Sequence, residues 1–446
     1  MIAWLQHLGA WDMSDLLKRK QPALGAEPHA AVSLEWRHRG DPSALWRALR
    51  ALHQPAAVIG VGAPLADAVG AVLPGLQPFE RLQRGRFTMP ATQADVWALV
   101  PGHDAGQVFE LADALVAALA PYAELLRATP LFSYRRGHDL TGYKDGTENP
   151  TGDDAWAAAL QPDGEGAGGS FVLVQRWLHF RDRFAALPEP VRDLVIGRRL
   201  ADDEEIAEAP ESAHVKRTAQ EDFEPPAFML RRSMPWGEGR RHGLQFIAYV
   251  ADLGAAQRQL HRMMGLEDGL QDALLAHSQA ETGAFYWCPP WDGQVRWLPA
   301  VSASMQAMQN LPPAAPARVT LVEDGPLELD GALMIAGRAA TQARLCRCGH
   351  SQNKPYCDGS HVDAGFVADG EVPPIDEPQV DPAPCRLRVQ PMADGPLVLH
   401  GPVTVCSAGG RVITRCQGAT LCRCGQSQNK PFCDGMHTTA GFSAGG

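Results

Sequence analysis

A short cysteine-rich segment that occurs twice constrains this chain more than any other feature. The segment 345–361, LCRCGHSQNKPYCDGSH, returns almost unchanged at 421–437 as LCRCGQSQNKPFCDGMH. Both copies have the spacing Cys-x-Cys-x8-Cys-x3-His, which places three thiols and one imidazole in one short loop. Because thiolate and imidazole groups at such spacing are typical metal ligands, the repeat predicts two metal centres in one chain.

The candidate ligands leave two kinds of metal centre open. They are Cys346, Cys348, Cys357 and His361 in the first copy, and Cys422, Cys424, Cys433 and His437 in the second. Three soft thiolates and one imidazole suit either a tetrahedral zinc ion or an iron–sulfur cluster. Zinc ribbons usually place two residues between paired cysteines, whereas here a single residue separates them. The spacing therefore favours an iron–sulfur cluster, with a structural zinc ion as the alternative.

The residues between the ligands resemble those of the CDGSH iron–sulfur domain, the mitoNEET-type fold. The shared positions are the Cys-x-Cys pair, Ser351 and Pro355 with their counterparts Ser427 and Pro431, the Cys-Asp-Gly turn and the closing histidine. Met436 stands where the family has serine, at a position that is not a ligand. The resemblance implies a [2Fe–2S] cluster in each copy. Because members with one motif form dimers, it also implies that two copies in one chain form an intramolecular pseudo-dimer.

The repeat extends beyond the metal loop. Each copy follows an Asp-Gly-Pro-Leu segment, at 324–327 and 394–397, and precedes an Ala-Gly-Phe segment. The repeating unit is therefore a small, β-rich domain of about 50 residues. The predicted order is a linker at 307–317, a domain at 318–368, an acidic Pro-rich linker at 369–385 and a second domain at 386–446.

Charge and cysteine usage exclude several classes of partner. The net charge of −11 argues against nucleic acid. No apolar stretch reaches membrane-spanning length, and the start of the chain lacks a signal-peptide pattern, so no membrane partner is expected. Six of the ten cysteines are candidate ligands, and Cys288, Cys385, Cys406 and Cys416 lack the spacing of a disulfide framework. The expected location is the reducing cytoplasm.

Residues 1–306 form a larger region in which strand-like and helix-like patterns alternate, which predicts packed α and β layers. The segment 32–36 alternates as a half-buried strand does, and 108–119 keeps its apolar residues on one helical face. Because a similar alternation recurs further on, we predict two β/α halves, about 1–130 and 131–306.

The segment 140–150, LTGYKDGTENP, is polar and glycine-rich, and its composition alone predicts only a loop. Its pattern Gly-x-x-Asp-Gly-x-x-Asn-Pro, however, resembles the fingerprint of dye-decolourising, or DyP-type, haem peroxidases. Further matches in the family's order are PATQADVW at 90–97, GSFV at 169–172, AHV at 213–215, LRRSMPWG at 230–237 and GLQFIAY at 243–249. The resemblance is to the class B branch. It implies an α+β fold of two ferredoxin-like halves, as in the chlorite-dismutase-like proteins, with haem b between them.

This resemblance also implies roles for residues around the haem. His214 matches the proximal position and is the expected iron ligand, while Asp272, or Asp268 as the alternative, would hold its far nitrogen. Asp145 and Arg231 match the distal positions. There a carboxylate can shuttle the peroxide proton and a cation can stabilise the departing oxyanion.

Four further positions and one departure from the family pattern complete the expected site. Ser233 stands where many class B members have asparagine, which leaves the distal hydrogen-bond network and the relative roles of the distal residues open. Gly146, Thr147 and Glu148 are expected along the haem edge. Arg217 is expected to face a propionate.

The leading interpretation is a cytoplasmic haem peroxidase that reduces hydrogen peroxide and oxidises a small-molecule or protein donor. The two clusters would be an attached electron-transfer module. In a second interpretation the clusters sense redox or iron status, or are donated to other proteins, while the peroxidase acts independently. A third is a haem-handling protein of the deferrochelatase type. Since DyP-type domains often associate, a homo-oligomer is a further expectation.

Overall fold

The computed structural model describes two compact units separately. The described residues are 12–299, 317–335, 338–374, 386–392 and 394–444. The first unit contains residues 12–66 and 73–299, and the second contains residues 67–72 together with the described residues from 317 onward. Most of the predicted linker at 307–317 lies outside the described residues, as do Cys385 and the 375–385 part of the second predicted linker.

Helices and strands alternate along the part of the chain before residue 300. The helices are α1 (Met13–Arg19), α2 (Pro42–Ala51), α3 (Ala63–Val69), α4 (Ala105–Leu119), α5 (Gly152–Ala159), α6 (Arg181–Ala185), α7 (Glu189–Ile196), α8 (His214–Thr218) and α9 (Leu253–Met264). The strands are β1 (Ala30–His38), β2 (Val58–Gly62), β3 (Leu82–Arg84), β4 (Phe87–Met89), β5 (Val96–Gly102), β6 (Ala123–Phe132), β7 (Ser170–His179), β8 (Leu230–Arg231), β9 (Met234–Glu238), β10 (Arg241–Val250), β11 (Ser278–Ala280) and β12 (Ala284–Cys288). No helix among the described residues is long and apolar enough to cross a bilayer.

Eight strands of the first unit close into a ring of antiparallel pairs. The order is β7-β12-β2-β5-β1-β6-β9-β10, and β10 pairs back onto β7. Within the ring, β6-β1-β5-β2 and β12-β7-β10-β9 are two sets of four strands that each follow the order fourth, first, third, second along the chain. Closure protects the hydrogen-bonding edges of these strands and makes the ring a rigid support for residues on its faces.

The strand predicted at 32–36 lies within β1, but the prediction that it is half-buried was wrong. Val32, Leu34 and Trp36 are buried, and so are the intervening Ser33 and Glu35. Both faces of β1 are therefore covered. Glu35 is tolerated there because Arg127 donates to its carboxylate at 2.8 Å, although burial still raises the pKa of Glu35.

A glycine in the GLQFIAY segment fits a tight place between β7 and β10. A Cβ atom at Gly243 would lie 1.9 Å from the carbonyl oxygen of Trp177, the same oxygen that accepts a 3.0 Å hydrogen bond from the indole of Trp236. Gly243 pairs with Trp236 across the β9–β10 ladder. Because Gly243 has no side chain, the carbonyl of Trp177 has room to accept the hydrogen bond from the indole of Trp236.

We expect Gly243→Ala to lower the unfolding temperature of the full chain by several degrees, because the backbone of β7 or β10 must shift to admit the methyl group. Gly237→Ala on the adjacent strand β9 is the matched control, since its Cβ would meet ordinary contacts at 3.8 Å. Differential scanning calorimetry measures both. Equal losses in the two variants would contradict the steric account.

The second unit is a small β structure built from two equivalent sets of three strands. Its elements are β13 (Ala317–Leu321), β14 (Leu327–Ile335), β15 (Arg338–Leu345), a short helix α10 (Ser360–Asp363), β16 (Leu387–Pro391), β17 (Leu397–Cys406) and β18 (Val412–Leu421). The pair β13–β14 corresponds to β16–β17, and β14–β15 corresponds to β17–β18; all four pairs are antiparallel. The parallel pair β14–β16 corresponds to the parallel pair β13–β17. Each repeat therefore completes the sheet of the other.

The two metal-ligand loops meet directly within this unit. Cys348 of one loop and Cys424 of the other form an antiparallel β-bridge. A Cβ at Gly349 would lie 2.7 Å from the carbonyl oxygen of Cys424, and one at Gly425 would lie 2.6 Å from that of Cys348. The glycines that follow Cys348 and Cys424 thus permit the backbones of the two loops to touch.

Candidate functional site

A cavity with about 730 Å³ of empty space, part of it open to solvent, lies within the first unit. It is lined by Leu173, Gln175, Trp177 and His179 of β7, by Leu244 and Phe246 of β10, by Ala256, Gln259, Leu260 and Met263 of α9, by His214 and Thr218 of α8, and by Asp145, Met229, Arg231, Leu274, Leu275 and Ser278. Alternate residues of β7 and β10 face it, so the ring fixes one wall. The cavity is mainly apolar, with a few polar groups that converge on it.

An anchored imidazole stands at one side of this cavity. Nδ1 of His214 lies 2.7 Å from Oδ2 of Asp272, whose side chain is fully buried. The other oxygen of Asp272 accepts a 2.8 Å hydrogen bond from the backbone N–H of Leu274, so the carboxylate is fixed at the start of a short 3-10 helix. Burial lowers the pKa of His214, but the charge and hydrogen bond of Asp272 outweigh it and the pKa is raised. With Nδ1 engaged, Nε2 is the nitrogen available to bind a metal.

The second candidate for this partner, Asp268, has a different role. Its two oxygens accept hydrogen bonds of 2.6 and 2.9 Å from the guanidinium of Arg217, which also donates to the carbonyl of Arg262. Arg217 is buried in these contacts and does not belong to the cavity wall. Nε of Arg217 is buried and has no hydrogen-bond partner among the described residues, and the expectation that Arg217 faces a haem propionate stays a prediction.

Asp145 and Arg231 line the same cavity as His214. Burial raises the pKa of Asp145; Arg231 opposes this shift, whereas the negative charge of Asp139 adds to it. Nε of Arg231 is a buried donor with no hydrogen-bond acceptor among the described residues. The cavity thus contains a carboxyl group poised to exchange a proton and a cation with unused hydrogen-bonding capacity.

The backbone of Arg231 is held by a residue whose role the sequence did not reveal. The side-chain oxygen of Asn149 accepts from the N–H of Arg231 at 2.9 Å, and its amide nitrogen donates to the carbonyl of Arg231 at 3.0 Å. Asn149 and Gly146 belong to one tight turn, in which Gly146 has a φ of +76° and its carbonyl accepts from the N–H of Asn149. The conformation of the 140–150 loop therefore positions both Asp145 and Arg231.

The remaining predicted residues lie around the cavity rather than in its wall. Ser233 and Gly146 line a neighbouring cavity of about 1080 Å³, which shares Asp145, Arg231 and Leu244 with the first. The hydroxyl of Ser233 accepts a long 3.4 Å hydrogen bond from the N–H of Ile247.

The side chains of Thr147 and Glu148 are engaged elsewhere. The hydroxyl of Thr147 donates to Asp203 at 2.8 Å, and Arg198 binds the carboxylate of Glu148. The carbonyl of Glu148 accepts from the amide of Gln220 at 2.6 Å. These contacts fix the 140–150 loop through residues that do not line the first cavity.

A buried pair of His179, which lines the cavity, and Asp139 could not be recognised from the sequence. Nε2 of His179 lies 3.0 Å from Asp139, and Nδ1 lies 2.8 Å from the hydroxyl of Ser278. Burial alone would raise the pKa of Asp139, but His179 and the hydrogen bonds from Thr141 lower it to about 2. Asp139 is therefore a permanent negative charge that acts on Asp145. Neither residue stood out in sequence, because a histidine at a strand end is an ordinary core residue.

In the second unit the eight candidate metal ligands meet in pairs. Sγ atoms of Cys346 and Cys348 are 3.6 Å apart, and Sγ of Cys357 lies 3.3 Å from Nδ1 of His361. The second loop repeats these pairs at 3.7 Å for Cys422 and Cys424 and at 3.4 Å for Cys433 and His437. Among the residues that the structure describes, no three such side chains form a ready-made site for one metal ion.

Neighbouring residues fix the two loops in the same way. The hydroxyl of Ser351 donates to the carbonyl of Tyr356 at 2.6 Å and accepts from Asn353 at 3.0 Å, and Ser427 repeats both bonds at the same distances. Asp358 of the Cys-Asp-Gly turn accepts from the N–H and hydroxyl of Ser360. With Met436 in place of that serine the second loop keeps only the N–H bond, to Asp434 at 3.1 Å. The methionine therefore removes a bond without disturbing the ligand pairs.

Comparisons with known proteins agree with both parts of this description. Residues 136–293 match the family described as Dyp-type peroxidase, C-terminal, and residues 320–362 and 394–438 match the iron-binding zinc finger CDGSH type. A dye-decolorizing peroxidase of Rhodococcus erythropolis is 32% identical over 247 residues, which cover 53% of this chain and 72% of the relative. The chain belongs to the dye-decolorizing peroxidase family.

Solved DyP structures support the same assignment. The dye-decolorizing protein from Vibrio cholerae has 30% identity and a TM-score of 0.56, covering 60% of this chain and 97% of that one. A variant of Rhodococcus jostii DypB, solved in complex with heme, has 28% identity and a TM-score of 0.55, covering 61% of this chain and 97% of that one. The chain is therefore a DyP-type haem peroxidase that carries two iron-binding CDGSH repeats.

The residues of the first cavity fit a haem. Its apolar walls suit the porphyrin, and His214 offers an iron ligand with the usual carboxylate partner. Two buried donors on the wall, Nε of Arg231 and Nε2 of Gln175, have no acceptor among the described residues. A polar ligand group or water in the cavity would satisfy them.

Asp272→Asn in this DyP-type peroxidase is expected to weaken haem binding by about 10–100-fold, because the amide cannot supply the charge that orients His214 and raises its basicity. Haem titration followed at the Soret band measures the change. Asp268→Asn is the matched control and should leave the affinity close to that of the wild type, since Asp268 contacts Arg217 instead. The reverse ranking of the two variants would refute the assignment of Asp272.

The acid limb of the pH profile tests the electrostatics of Asp145. Asp145 can accept a proton from peroxide only when its carboxyl group is ionised. The value of kcat/KM for peroxide should therefore fall as the pH drops through the raised pKa of Asp145. Asp139→Asn removes a charge that raises this pKa, and the acid limb should move to lower pH. Asp193→Asn, whose carboxylate binds Tyr143 at 2.5 Å, is the control and should not move it. An unchanged limb in the Asp139 variant would show that another group titrates.

Proposed function

We propose that this protein reduces hydrogen peroxide at a haem b bound through His214, and that two [2Fe–2S] clusters in the CDGSH repeats supply electrons to the reaction. The observation that carries the first part is the convergence on one cavity of the His214–Asp272 pair, Asp145 and Arg231. Bound haem iron would supply the redox chemistry of O–O cleavage. The chain's own residues bind, orient and exchange protons with the peroxide.

The distal residues can perform the proton steps. Asp145, when ionised, takes the proton from the peroxide oxygen that binds, and returns it to the oxygen that leaves as water. Arg231 stabilises the negative charge that develops on the departing oxygen. Asn149 holds the backbone of Arg231, so the cation is in place before peroxide arrives. The apolar residues of β10 and α9 limit competing water. Ser233 in the neighbouring cavity is proposed to complete the hydrogen-bond network.

The edge residues are also assigned as a proposal. Gly146 allows close approach of the loop to the haem edge because it has no side chain and a φ of +76°. Thr147 and Glu148 hold that loop through Asp203 and Arg198.

The pairing of ligands supports binuclear clusters over single zinc ions. In a [2Fe–2S] cluster each iron takes two protein ligands, and each loop presents two pairs: two cysteines, and a cysteine with a histidine. One tetrahedral zinc ion requires all four ligands around a single centre. Two [2Fe–2S] clusters are therefore the proposed cofactors of the second unit.

The strand orders support a repeated architecture in both units. We propose that the two four-stranded sets of the ring are ferredoxin-like halves, because each follows the order fourth, first, third, second with helices between its strands. We propose that the CDGSH repeats form an intramolecular pseudo-dimer, because every strand pair of one repeat has a counterpart in the other. The proposed domain limits are 1–306, 318–368 and 386–446.

Electron stoichiometry supports a link between the two kinds of cofactor. Reduction of one peroxide to water consumes two electrons, and two [2Fe–2S] clusters each carry one. A chain with both clusters reduced therefore holds the electrons for one turnover, which an external small-molecule or protein donor would replenish. A cytoplasmic location is proposed with this role, since reduced thiols and clusters persist there.

A single-turnover experiment tests this link. Full-length protein with reduced clusters is mixed with one equivalent of peroxide under argon, and haem and cluster absorbance are followed together. We expect the clusters to be oxidised at the rate at which the haem spectrum returns to its resting form, because the same electrons produce both changes.

The matched control is the full-length double variant Cys357→Ser with Cys433→Ser, in which each loop loses one proposed ligand. After peroxide is added, the haem spectrum of this variant should return to its resting form more slowly than that of the wild type. Clusters that remain reduced while the haem recovers would favour the sensing or cluster-donating alternative. Loss of iron from bound haem without peroxide would favour the haem-handling alternative.

A further inference from the structure

Another cavity of the first unit shares part of its wall with the first cavity. It has about 690 Å³ of empty space, part of it open to solvent, and residues of β4 and β11 line it. Trp177, Leu275 and Ser278 line both cavities. We call this space the side cavity. A small molecule in the side cavity can therefore touch residues that also line the first cavity.

The lining of the side cavity suits an aromatic molecule with a negative charge. Three aromatic side chains contribute to it, those of Phe87, Trp177 and Phe180, and they offer surfaces on which a ring can pack. Two arginines, Arg86 and Arg183, are also part of the lining. No aspartate or glutamate is among the described residues that line this cavity. Because a guanidinium binds carboxylate and sulfonate groups well, an acidic substituent on the ring would be favoured.

Ser278 connects the side cavity to a row of buried polar side chains. Strand β11 pairs with β7 so that Ser278 lies opposite His179. Oγ of Ser278 is 2.8 Å from Nδ1 of His179, and Nε2 of His179 is 3.0 Å from Oδ1 of Asp139. All three residues are buried. They form a continuous row of hydrogen-bonding groups that begins at the side cavity.

The direction of these hydrogen bonds follows from Asp139. Its Oδ2 accepts from the N–H of Thr141 at 2.8 Å and its Oδ1 faces His179, so the ionised carboxylate accepts at both oxygens. Nε2 of His179 then carries the proton, and Nδ1 of the neutral imidazole is an acceptor. The hydroxyl of Ser278 donates to Nδ1, since its other acceptor, the carbonyl of Leu178, is 3.4 Å away. The oxygen of Ser278 can therefore accept a hydrogen bond from a molecule in the side cavity.

We propose that Ser278, His179 and Asp139 form a proton path for a phenolic electron donor that binds in the side cavity. Arg86 and Arg183 would hold an acidic substituent of this donor. The inference rests on the proposed haem peroxidase, and it gives an external donor a route to the haem that does not pass through the clusters.

The proton path accounts for every electron and proton of the reaction. The phenol gives one electron to the haem that peroxide has oxidised, and its proton moves to Oγ of Ser278 while the Ser278 proton moves to Nδ1 of His179. The products are a phenoxyl radical and an imidazolium paired with the carboxylate of Asp139. Two donors lose two electrons and two protons, which are what the conversion of one peroxide into two waters consumes. Because His179 also lines the first cavity, the proton is held where water forms.

Of the three residues, Ser278 alone would touch the donor, and the other two are positioning residues that act through it. The test uses full-length holoenzyme with oxidised clusters, so that every electron comes from the added donor. The haem is first oxidised with one equivalent of peroxide, and its return to the resting spectrum is then followed after the donor is added. The donors are ferulate, a phenol with a carboxylate, and ABTS, a sulfonated donor that loses an electron but no proton.

Ser278→Ala should slow the reaction with ferulate by about 10–100-fold, because the proton loses its acceptor, and should leave the reaction with ABTS unchanged. The wild type should show a solvent deuterium isotope effect with ferulate and none with ABTS, a measurement that needs no variant. Ser170→Ala is the matched control. Ser170 is a buried serine of β7 that lines neither cavity and donates to the carbonyl of Phe171 at 3.0 Å, so its loss should change neither rate.

Binding of the donor can be measured without turnover by calorimetry in the absence of peroxide. Ser278→Ala should weaken the binding of ferulate by about 5-fold, the effect of one hydrogen bond, and should not affect the methyl ether of ferulate, which has no phenolic O–H. Arg183→Gln should weaken both ligands by about 2–5-fold, because both have the carboxylate.

Three results would each overturn the proton path: equal slowing of ferulate and ABTS in the Ser278 variant, an unchanged rate with ferulate, or no isotope effect in the wild type. Equal weakening of ferulate and its ether by Ser278→Ala would also contradict it. These outcomes are distinct from failure of the proposed function. If the haem spectrum does not respond to peroxide before any donor is added, the peroxidase proposal itself is wrong.

Discussion

The hydrogen bond between His214 and Asp272 is the interaction on which the peroxidase site depends. The fully buried carboxylate of Asp272 is acceptable only because it is bound by the imidazole and by the N–H of Leu274. The same bond orients His214, leaves one nitrogen for the iron and raises its basicity. The proposed roles of Asp145 and Arg231 follow from this anchor, because an iron held by His214 would set where peroxide binds in the cavity that these residues line.

The two units solve the problem of buried charge differently. In the first unit, carboxylates pair with nearby side chains, such as Asp139 with His179 and Asp268 with Arg217. In the second, Arg347 and Arg423 each donate to backbone carbonyls of their own repeat. The first arrangement fixes individual side chains around one cavity. The second fixes the backbone around each metal-ligand loop, while the parallel strand pairs β13–β17 and β14–β16 join the two repeats.

The sequence was most informative where chemistry demands a fixed spacing. The Cys-x-Cys-x8-Cys-x3-His repeat is a local pattern that identifies the candidate ligands, and the apolar spacing at 108–119 is another that predicted the helix α4. Contacts between segments that are distant in the sequence could not be predicted in this way. The choice between Asp272 and Asp268 depends on a turn whose geometry is set by tertiary packing, and so does the pairing of Arg217 with Asp268. The complete burial of β1 follows from closure of the ring, which no local alternation reveals.

The central claim is that one chain combines a haem site with two binuclear iron–sulfur clusters. The most direct test is to measure haem, non-haem iron, zinc and acid-labile sulfide in the same purified full-length sample. The account predicts, per chain, one haem, about four non-haem irons and about four sulfides, with no stoichiometric zinc. About two zinc ions per chain and no sulfide would contradict it, because the paired ligands would then serve only to hold the loops.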